Sequence, residues 1–238
     1  MKPILIDLDG TLHDSAAIIK QTFGATLKEC LGRTEPPEYF TQFIGPPLLQ
    51  GFTRMGASDP AKMVMEYRIR YEKNMLDTPC FPGMEELVKK LHDAGVPLAI
   101  ATSKKDTNSR TILEHQGLAQ YIDVIAGDPE TRPGYSKADV VEDALNRLSA
   151  LGVDTSEALM VGDRIYDIEG AGKNGVPTVM VTWGAGRPEE WELAWKHVDT
   201  VDQLETLLFG FARGEIRAEF DAEKHRQAVE LNAKINAN

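Results

Sequence analysis

The sequence predicts an α/β protein in which a doubly wound parallel sheet carries an inserted, all-helical segment. Three observations support this class. Short apolar runs alternate along the chain with helical stripes. Each run is apolar at nearly every position, as expected for strands covered on both faces. One stretch, residues 15–79, interrupts the alternation with helical patterns and no comparable run.

The strands and helices of the core follow one another in order. Apolar runs that predict strands occupy residues 3–6, 97–101, 122–125, 158–161 and 178–181. Helical stripes between them occupy residues 84–94, 107–115 and 137–150. Strands that alternate with helices form a parallel sheet with helices on both faces. We therefore predict a Rossmann-like core made of residues 1–14 and 80–208.

The segment 15–79 is predicted to be an all-helical insert. Its stripes include Ile19, Phe23 and Leu27, and later Tyr67 and Tyr71. Proline and glycine punctuate it. Because it follows the first strand, it should lie above the carboxyl ends of the strands, where open α/β sheets bind ligands.

The last segment, residues 209–238, is predicted to be a charged helical tail. Its apolar residues follow helical spacing only weakly. A solvated, partly frayed terminal helix is the favoured interpretation, and a partner-docking helix is the alternative.

Composition limits the classes of function. The 238 residues carry a formal net charge of -11, with no basic stripe, which argues against a nucleic-acid polymer as partner. Two cysteines, Cys30 and Cys80, do not form a disulfide framework. The apolar runs are too short to span a membrane, and Asp7 and Asp9 interrupt any signal peptide. We expect a cytoplasmic protein, either a monomer or a homodimer.

Acidic residues collect where the predicted strands end. The first strand ends at Asp7 and Asp9, and the fourth ends at Asp163, with Asp167 four residues later. Lys137 begins the helix before the fourth strand. Parallel strands place these ends on one edge of the sheet. Carboxylates gathered there repel one another unless a cation lies among them, and their hard oxygen atoms suit Mg²⁺.

These residues resemble the motifs of the haloacid dehalogenase superfamily, in its phosphoglycolate-phosphatase-like branch with a helical cap. The first motif is the segment from Asp7 to Thr11, and the second is a strand ending in Thr102 and Ser103. Lys137 stands where the third is expected, although many members have Lys-Pro there. The acids Asp163 and Asp167 match the fourth. The four motifs occur in order over residues 1–208. The insert lies between the first and second motifs, so it matches the inserted all-helical cap domain of this family.

The resemblance implies a Mg²⁺-dependent phosphatase of small phosphorylated metabolites. Asp7 would attack phosphorus and form an aspartyl-phosphate. Asp9 would protonate the leaving group and then activate water. Mg²⁺ would be bound by the Asp7 carboxylate, the Asp9 carbonyl and Asp163, with Asp167 behind them or bound through water.

The phosphoryl oxygens would be held by other residues of the same motifs. The resemblance assigns this role to Thr102, the Ser103 amide and Lys137, which would also pair with Asp7. Gly10 would let the backbone turn tightly beside the phosphate. Lys104 and Lys105 are the fallback for Lys137, but we expect them to point along a solvated loop.

Substrate selectivity has few signals in the sequence. The segment from Gly45 to Leu48 resembles a cap loop that reaches into the active site in this branch. Arg54, Arg68 and Arg70 could meet a second anionic group, although a solvated helix face explains each of them. Trp183 follows the last long strand and is expected to be a packing residue. No histidine lies at a strand-end motif, so none is expected to be a ligand or base.

Four alternatives to a phosphatase follow from the same residues. A phosphomutase or phosphotransferase would use Asp7 but transfer the phosphoryl group to another acceptor. A carbon–halogen hydrolase needs no acid at position 9, and a phosphonate hydrolase needs a cap lysine, for which no candidate has a distinguishing context. A catalytically silent binding protein would be expected to lose a motif residue, and this chain keeps all of them.

Overall fold

The computed structural model describes residues 1–129 and 134–237, and these contain one six-stranded sheet. Every pair of neighbouring strands is parallel. The strands are β1 (Ile4–Ile6), β2 (Leu98–Lys105), β3 (Val124–Asp128), β4 (Leu159–Gly162), β5 (Thr178–Val181) and β6 (Lys196–Val198). Their spatial order is β3-β2-β1-β4-β5-β6. The prediction of a Rossmann-like, doubly wound α/β fold is confirmed.

Helices surround the sheet and form the insert. The α-helices are α1 (Ala16–Leu31), α2 (Leu48–Arg54), α3 (Pro60–Glu72), α4 (Met84–Asp93), α5 (Asp106–His115), α6 (Lys137–Ala150), α7 (Ile165–Gly172), α8 (Pro188–Trp191), α9 (Val201–Ala212) and α10 (Ala222–Ala237). The 3-10 turns are Pro37–Phe43, Met75–Asp77 and Ala119–Tyr121. No helix within the described part of the chain is both long and apolar enough to cross a bilayer.

The central strand β1 shows why the sheet is covered on both faces. Ile4 and Ile6 belong to an apolar cluster with residues of α4 and α9. Leu5, between them, belongs to a second cluster with residues of α6. Side chains alternate between the two faces of a strand, so a three-residue apolar run supplies both layers of the core.

One strand was not predicted. In β6 only Val198 is buried, whereas Lys196 and His197 are exposed. An edge strand of three residues with two exposed polar side chains has no apolar run to reveal it.

The insert between β1 and β2 forms an apolar core of its own. Its centre is Phe23 of α1, whose ring centroid lies 6.0 Å from that of Phe40, 5.4 Å from Phe52 and 4.7 Å from Tyr67. An inserted helical cap is thereby confirmed as part of the fold class. Its proposed limits, residues 15–79, stay a prediction.

The expectation of a solvated tail is wrong for one face of α10. Ala228 is fully buried, and Leu231 and Ile235 pack with it against Ile165 and Ile168 of α7. These three positions lie on one helical face, but an alanine begins the stripe and made it easy to overlook. Residues 209–212 belong to α9, where Phe211 is buried.

Close contact between α7 and α6 depends on Gly170. A Cβ atom at this position would lie 2.6 Å from Lys137 Cγ and 3.0 Å from the Lys137 carbonyl carbon. Helix α7 can therefore approach the first turn of α6 only with glycine here.

We predict that Gly170→Ala lowers the free energy of unfolding by about 1–3 kcal/mol, because the added methyl group forces the two helices apart. Urea unfolding measures this. Gly24→Ala in α1 is the matched control, since its Cβ would meet only Phe40 at 3.5 Å, an ordinary contact. The control should be neutral or gain about 0.5–1 kcal/mol; equal behaviour of the two variants would contradict the packing argument.

Candidate active site

Three buried carboxylates and one ammonium meet at the carboxyl edge of the sheet. Asp7 directly follows β1, Asp163 directly follows β4, and Asp167 lies in the first turn of α7. One carboxylate oxygen from each lies within 4.8 Å of the others. Lys137 Nζ is 2.7 Å from Asp7 Oδ1 and 2.8 Å from Asp167 Oδ1. The structure thus brings together four of the five residues that the sequence placed at this edge, all but Asp9.

The loop after β1 is a tight turn. The Leu8 carbonyl oxygen accepts hydrogen bonds from the N–H groups of Leu12 at 3.0 Å and His13 at 2.8 Å. Gly10 has a φ of 85°, and a Cβ there would lie 2.6 Å from Asp163 Cγ. Both the left-handed backbone and the closeness of Asp163 require glycine at this position.

Asp163 is oriented from the loop after β5. The Ala185 N–H donates to Asp163 Oδ2 at 2.7 Å. A Cβ on Gly184 would overlap the Asp163 carboxylate and lie 2.5 Å from the Gly10 carbonyl oxygen. Sequence reasoning treated this loop only as the surroundings of Trp183; the glycine directly before Ala185 was the signal of a close approach.

Asp167 has both carboxylate oxygens engaged. Oδ1 pairs with Lys137, and Oδ2 accepts from the N–H groups of Asp163 at 3.1 Å and Arg164 at 3.0 Å. This arrangement caps the N-terminus of α7. It suits a residue that orients Lys137 and the Asp163 backbone.

Lys137 is placed by a helix cap. The Ser136 N–H donates to Asp139 Oδ2 at 2.8 Å, and the Ser136 hydroxyl oxygen accepts from the Asp139 N–H at 3.4 Å. This reciprocal cap begins α6 at Lys137. Residues 132 and 133, which precede this cap in the sequence, lie outside the described residues.

The burial of the acids changes their ionisation. Burial raises the pKa of Asp7 to about 6, although the Lys137 ammonium acts in the opposite direction. Burial, with the charges of Asp167 and Asp7, holds the pKa of Asp163 well above its usual value. Burial would lower the pKa of Lys137, but Asp167 and Asp7 outweigh it and raise it. One ammonium therefore faces three carboxylates in a desolvated site.

The donor set fits a hard divalent cation. Asp163 Oδ1 is buried and has no hydrogen-bond partner among residues 1–129 and 134–237. Asp163 lies in the same cluster as Asp7 and Asp167, and within the described residues these three acids outnumber the one ammonium that pairs with them. An unpartnered, buried carboxylate oxygen among other acids is what a Mg²⁺ ligand presents without its ion.

The second acid of the first motif lies in a different environment. Asp9 Oδ2 is 3.0 Å from Lys104 Nζ, and Lys104 Nζ is 2.5 Å from the Tyr71 hydroxyl oxygen on α3 of the insert. Burial acts to raise the pKa of Asp9, but the Lys104 ammonium outweighs it and holds this pKa below its usual value. Asp9 is therefore a carboxylate at neutral pH.

The expectation that Lys104 and Lys105 point along a solvated loop is wrong. Strand β2 continues to Lys105, the Lys104 side chain is only 7% exposed, and Lys105 Nζ lies 3.5 Å from Glu72. Both lysines face acceptors supplied by the end of α3. A lysine next to Thr102 and Ser103 was a signal, but its partner Tyr71 is distant in sequence.

Thr102 and Ser103 lie at the same edge. Thr102 is buried, and its hydroxyl oxygen accepts from the Lys104 N–H at 3.3 Å. Ser103 is exposed. The Thr102 hydroxyl proton is available to a further acceptor, because this oxygen acts here as an acceptor.

The arginines of the insert have partners within it. Arg70 pairs with Glu29 and Glu66. Arg54 Nη2 donates to Gln42 Oε1 at 3.1 Å.

His13 and Trp183 are structural. The His13 ring is buried, and its Nε2 lies 2.8 Å from Gln116 Oε1. Burial lowers the pKa of His13 to about 4, so the ring is neutral. Trp183 Nε1 donates to the Thr11 carbonyl oxygen at 3.2 Å, which agrees with the expected packing role.

Comparison with known proteins relates this chain to one family of hydrolases. The family model described as haloacid dehalogenase-like hydrolase matches residues 4–181. The tyrosine-protein kinase PtkA of Mycobacterium tuberculosis is 35% identical over 86% of this chain and 72% of its own length. A 5'-nucleotidase of Pseudomonas aeruginosa is 33% identical over 79% of this chain and 85% of its own length. A predicted phosphatase from Clostridium acetobutylicum has a similar structure, with a TM-score of 0.79 and 34% identity over 87% of this chain and 98% of that chain.

We predict that Lys137→Met destabilises the metal-free protein by roughly 3–5 kcal/mol at neutral pH, because it leaves buried carboxylates without a counter-charge. The loss should shrink as pH falls. In the variant the pKa of Asp7 is raised further, so the folded state takes up a proton at a pH where the unfolded state does not. Stability is then regained as pH falls from this raised pKa, which lies above the value of about 6 in the unaltered protein, toward the ordinary value of 3.8.

Urea unfolding in a chelator, at about pH 5 and about pH 8, measures this dependence. Lys89→Met is the control, since Lys89 is a half-exposed lysine paired with Glu85 on one helix. It should change stability little at either pH. A Lys137→Met loss that is equal at both values would contradict the role of Asp7 ionisation.

Proposed function

Since this chain belongs to the haloacid dehalogenase-like hydrolase family, we propose that it is a Mg²⁺-dependent phosphatase that hydrolyses small phosphate monoesters through an aspartyl-phosphate. It is a hydrolase that acts on phosphate esters. The observation that carries the magnesium and aspartyl-phosphate proposal is the Lys137 ammonium, which pairs with both Asp7 and Asp167. These two acids cluster with Asp163, which has an unpartnered oxygen.

Asp7 is the proposed nucleophile. Its Oδ1 is held by Lys137 at 2.7 Å, which leaves Oδ2 to attack phosphorus. Attack forms the Asp7 Oδ2–phosphorus bond and breaks the bond from phosphorus to the leaving oxygen. Lys137 then lies beside both the nucleophile and the transferred group, where its charge opposes the growing negative charge.

Asp9 is the proposed acid and base. As an acid, once it has taken up a proton from solvent, it gives that proton to the leaving oxygen. As a base, in its carboxylate form, it takes a proton from the water that hydrolyses the aspartyl-phosphate. The ion pair with Lys104 favours the carboxylate form of Asp9, which the second step requires. Asp9 also argues against a carbon–halogen hydrolase, in which this acid has no role.

Mg²⁺ would be held by the Asp7 and Asp163 carboxylates and the Asp9 backbone carbonyl. When bound it would neutralise charge between Asp7 and the substrate phosphate. Asp167 would support the site from behind, since its oxygens already bind Lys137 and two N–H groups.

The phosphoryl oxygens would be bound by Thr102, the Ser103 N–H and Lys137, with Gly10 allowing the backbone to approach. The buried Thr102 hydroxyl and the closeness of Gly10 to Asp163 support these roles.

Residues 15–79 would act as the cap that closes over a small phosphorylated metabolite. The two chain segments that connect the insert to the core lie side by side, which supports these limits. His13 and Cys80 form an antiparallel bridge, and the Asp14 N–H donates to the Pro79 carbonyl oxygen at 2.9 Å. A pair of short, adjacent linkers is a suitable hinge.

A second candidate is phosphoryl transfer to an acceptor other than water. It is favoured by the relative named as a tyrosine-protein kinase. The first step would be the same, and an acceptor hydroxyl would replace water in the second.

We predict that the chain releases phosphate from p-nitrophenyl phosphate only with Mg²⁺, and that Asp7→Asn lowers the rate by at least about a thousandfold, because an amide cannot replace the carboxylate nucleophile. Asp14→Asn, an exposed acid on the neighbouring linker, is the matched control and should keep full activity. A panel of phosphorylated metabolites, ATP included, assayed for phosphate release and for transfer to added alcohols, separates the two candidates. Full activity of Asp7→Asn would remove Asp7 as the nucleophile.

We predict that Asp9→Asn slows turnover by about 10²–10⁴-fold while the first step survives, because p-nitrophenolate leaves without a proton. Rapid mixing should then show a burst of about one equivalent of p-nitrophenol per enzyme, followed by slow release. An unaltered steady rate without a burst would contradict the acid–base role.

A further inference from the structure

Two residues between the acids of the fourth motif have no part in the proposed chemistry. Arg164 and Tyr166 lie between Asp163 and Asp167, at the start of α7. Arg164 is only 5% exposed, and its position is unusual for a charged side chain. Both side chains lie against the insert rather than among the acids.

The Arg164 guanidinium joins the core to the insert. Its Nε donates to Glu190 Oε2 at 3.2 Å, and Glu190 is fully buried and also accepts from the Ile165 N–H at 2.7 Å. Its Nη1 donates to the carbonyl oxygen of Ile44. A guanidinium presents donors in a fixed fork, so one side chain can satisfy a core carboxylate and an insert carbonyl together.

The Ile44 carbonyl needs such a donor. Ile44 is 3% exposed and follows the 3-10 turn Pro37–Phe43. Burying a carbonyl group without a hydrogen-bond partner costs free energy. This segment therefore docks favourably only where the core supplies a donor to the carbonyl.

The Tyr166 ring supports Gly45, the residue after Ile44 in the insert. A Cβ on Gly45 would lie 3.0 Å from Tyr166 Cδ2 and 3.2 Å from Cε2, so the glycine backbone rests on the ring. The Arg164 guanidinium lies 5.6 Å from the ring centroid. The Tyr166 hydroxyl lies 3.1 Å from Asn236 Oδ1, so α10 holds the ring in place.

We propose that Arg164 and Tyr166, the cap-docking pair, hold the segment 44–45 of the insert closed over the acid cluster. They are positioning residues, since they contact the insert and not the reacting atoms. Glu190 and Asn236 hold the pair from the core. This inference goes beyond the phosphatase proposal, and its structural test does not depend on it.

An alternative is that Arg164 serves only to neutralise Glu190. In that case the contact with Ile44 would add nothing to docking, and a lysine at 164 would serve equally well. Arg164→Lys therefore separates the two explanations, because an ammonium can keep the pair with Glu190 but does not reproduce the fork.

The experiment is hydrogen–deuterium exchange of the full chain, followed at the amides of residues 44 and 48–54. In Arg164→Lys these should exchange about tenfold faster or more, because the loss of one charge-assisted hydrogen bond raises the undocked fraction. Gly45→Ala should do the same, because its methyl group would press on the Tyr166 ring.

Gly56→Ala is the matched control for Gly45→Ala. Both glycines lie in the insert with positive φ, 103° for Gly45 and 83° for Gly56, but a Cβ on Gly56 meets no described atom within 4 Å. The two substitutions cause similar backbone strain, and only one disturbs docking. The control should leave segment 44–54 at or near its normal exchange rate.

Kinetics give a second reading. With p-nitrophenyl phosphate, KM should rise in Arg164→Lys and Gly45→Ala while kcat stays within about twofold. The reason is that the closed state, which binds substrate, is less populated in these variants, so part of the binding free energy is used to close the insert. Unchanged exchange in both variants would overturn the proposal, as would exchange that rises equally in β1 and α9, which would indicate general destabilisation. Absence of any phosphatase activity would leave the exchange result to decide.

Discussion

The site depends on the burial of like charges at the end of a parallel sheet. Asp7, Asp163 and Asp167 converge because β1 and β4 are adjacent and parallel, and Lys137 is the ammonium that pairs with two of them. Such a group is tolerated only if each charge is paired, hydrogen-bonded or bound to a metal. Glycines at positions 10, 162, 170 and 184 serve this end, since a Cβ at any of them would overlap a side chain of the cluster. The local sequence is thus adapted to bring acids together and not to separate them.

Much of this arrangement could be predicted, because it follows from local order along the chain. An apolar run followed by an acid places Asp7 at a strand end, and a helix that begins at Lys137 directs that side chain toward the same edge. The residues that prediction missed depend on distant contacts. Lys104 is buried because Tyr71, from another part of the fold, covers it. The buried face of α10 begins with an alanine, and β6 is a short edge strand; neither carries enough apolar signal to be recognised.

The insert touches the core through residues that directly follow the proposed catalytic positions. Lys104 and Lys105 follow Thr102 and Ser103, and they meet Tyr71 and Glu72 at the end of α3. Arg164 follows Asp163 and meets Ile44. Closure of the insert is therefore linked to the site by neighbours in the chain, and not by a separate relay. Displacement of α3 would remove a partner from Lys104, which in turn holds Asp9.

This link bears on the choice between hydrolysis and transfer. Both proposed reactions would begin with attack by Asp7, and they would differ only in which hydroxyl reaches the aspartyl-phosphate. Asp9, kept ionised by Lys104, can accept a proton from water or from an alcohol equally well. The acid cluster therefore does not decide the acceptor. Under the proposed mechanism the insert would decide it, because a closed insert would determine which hydroxyl reaches Asp9.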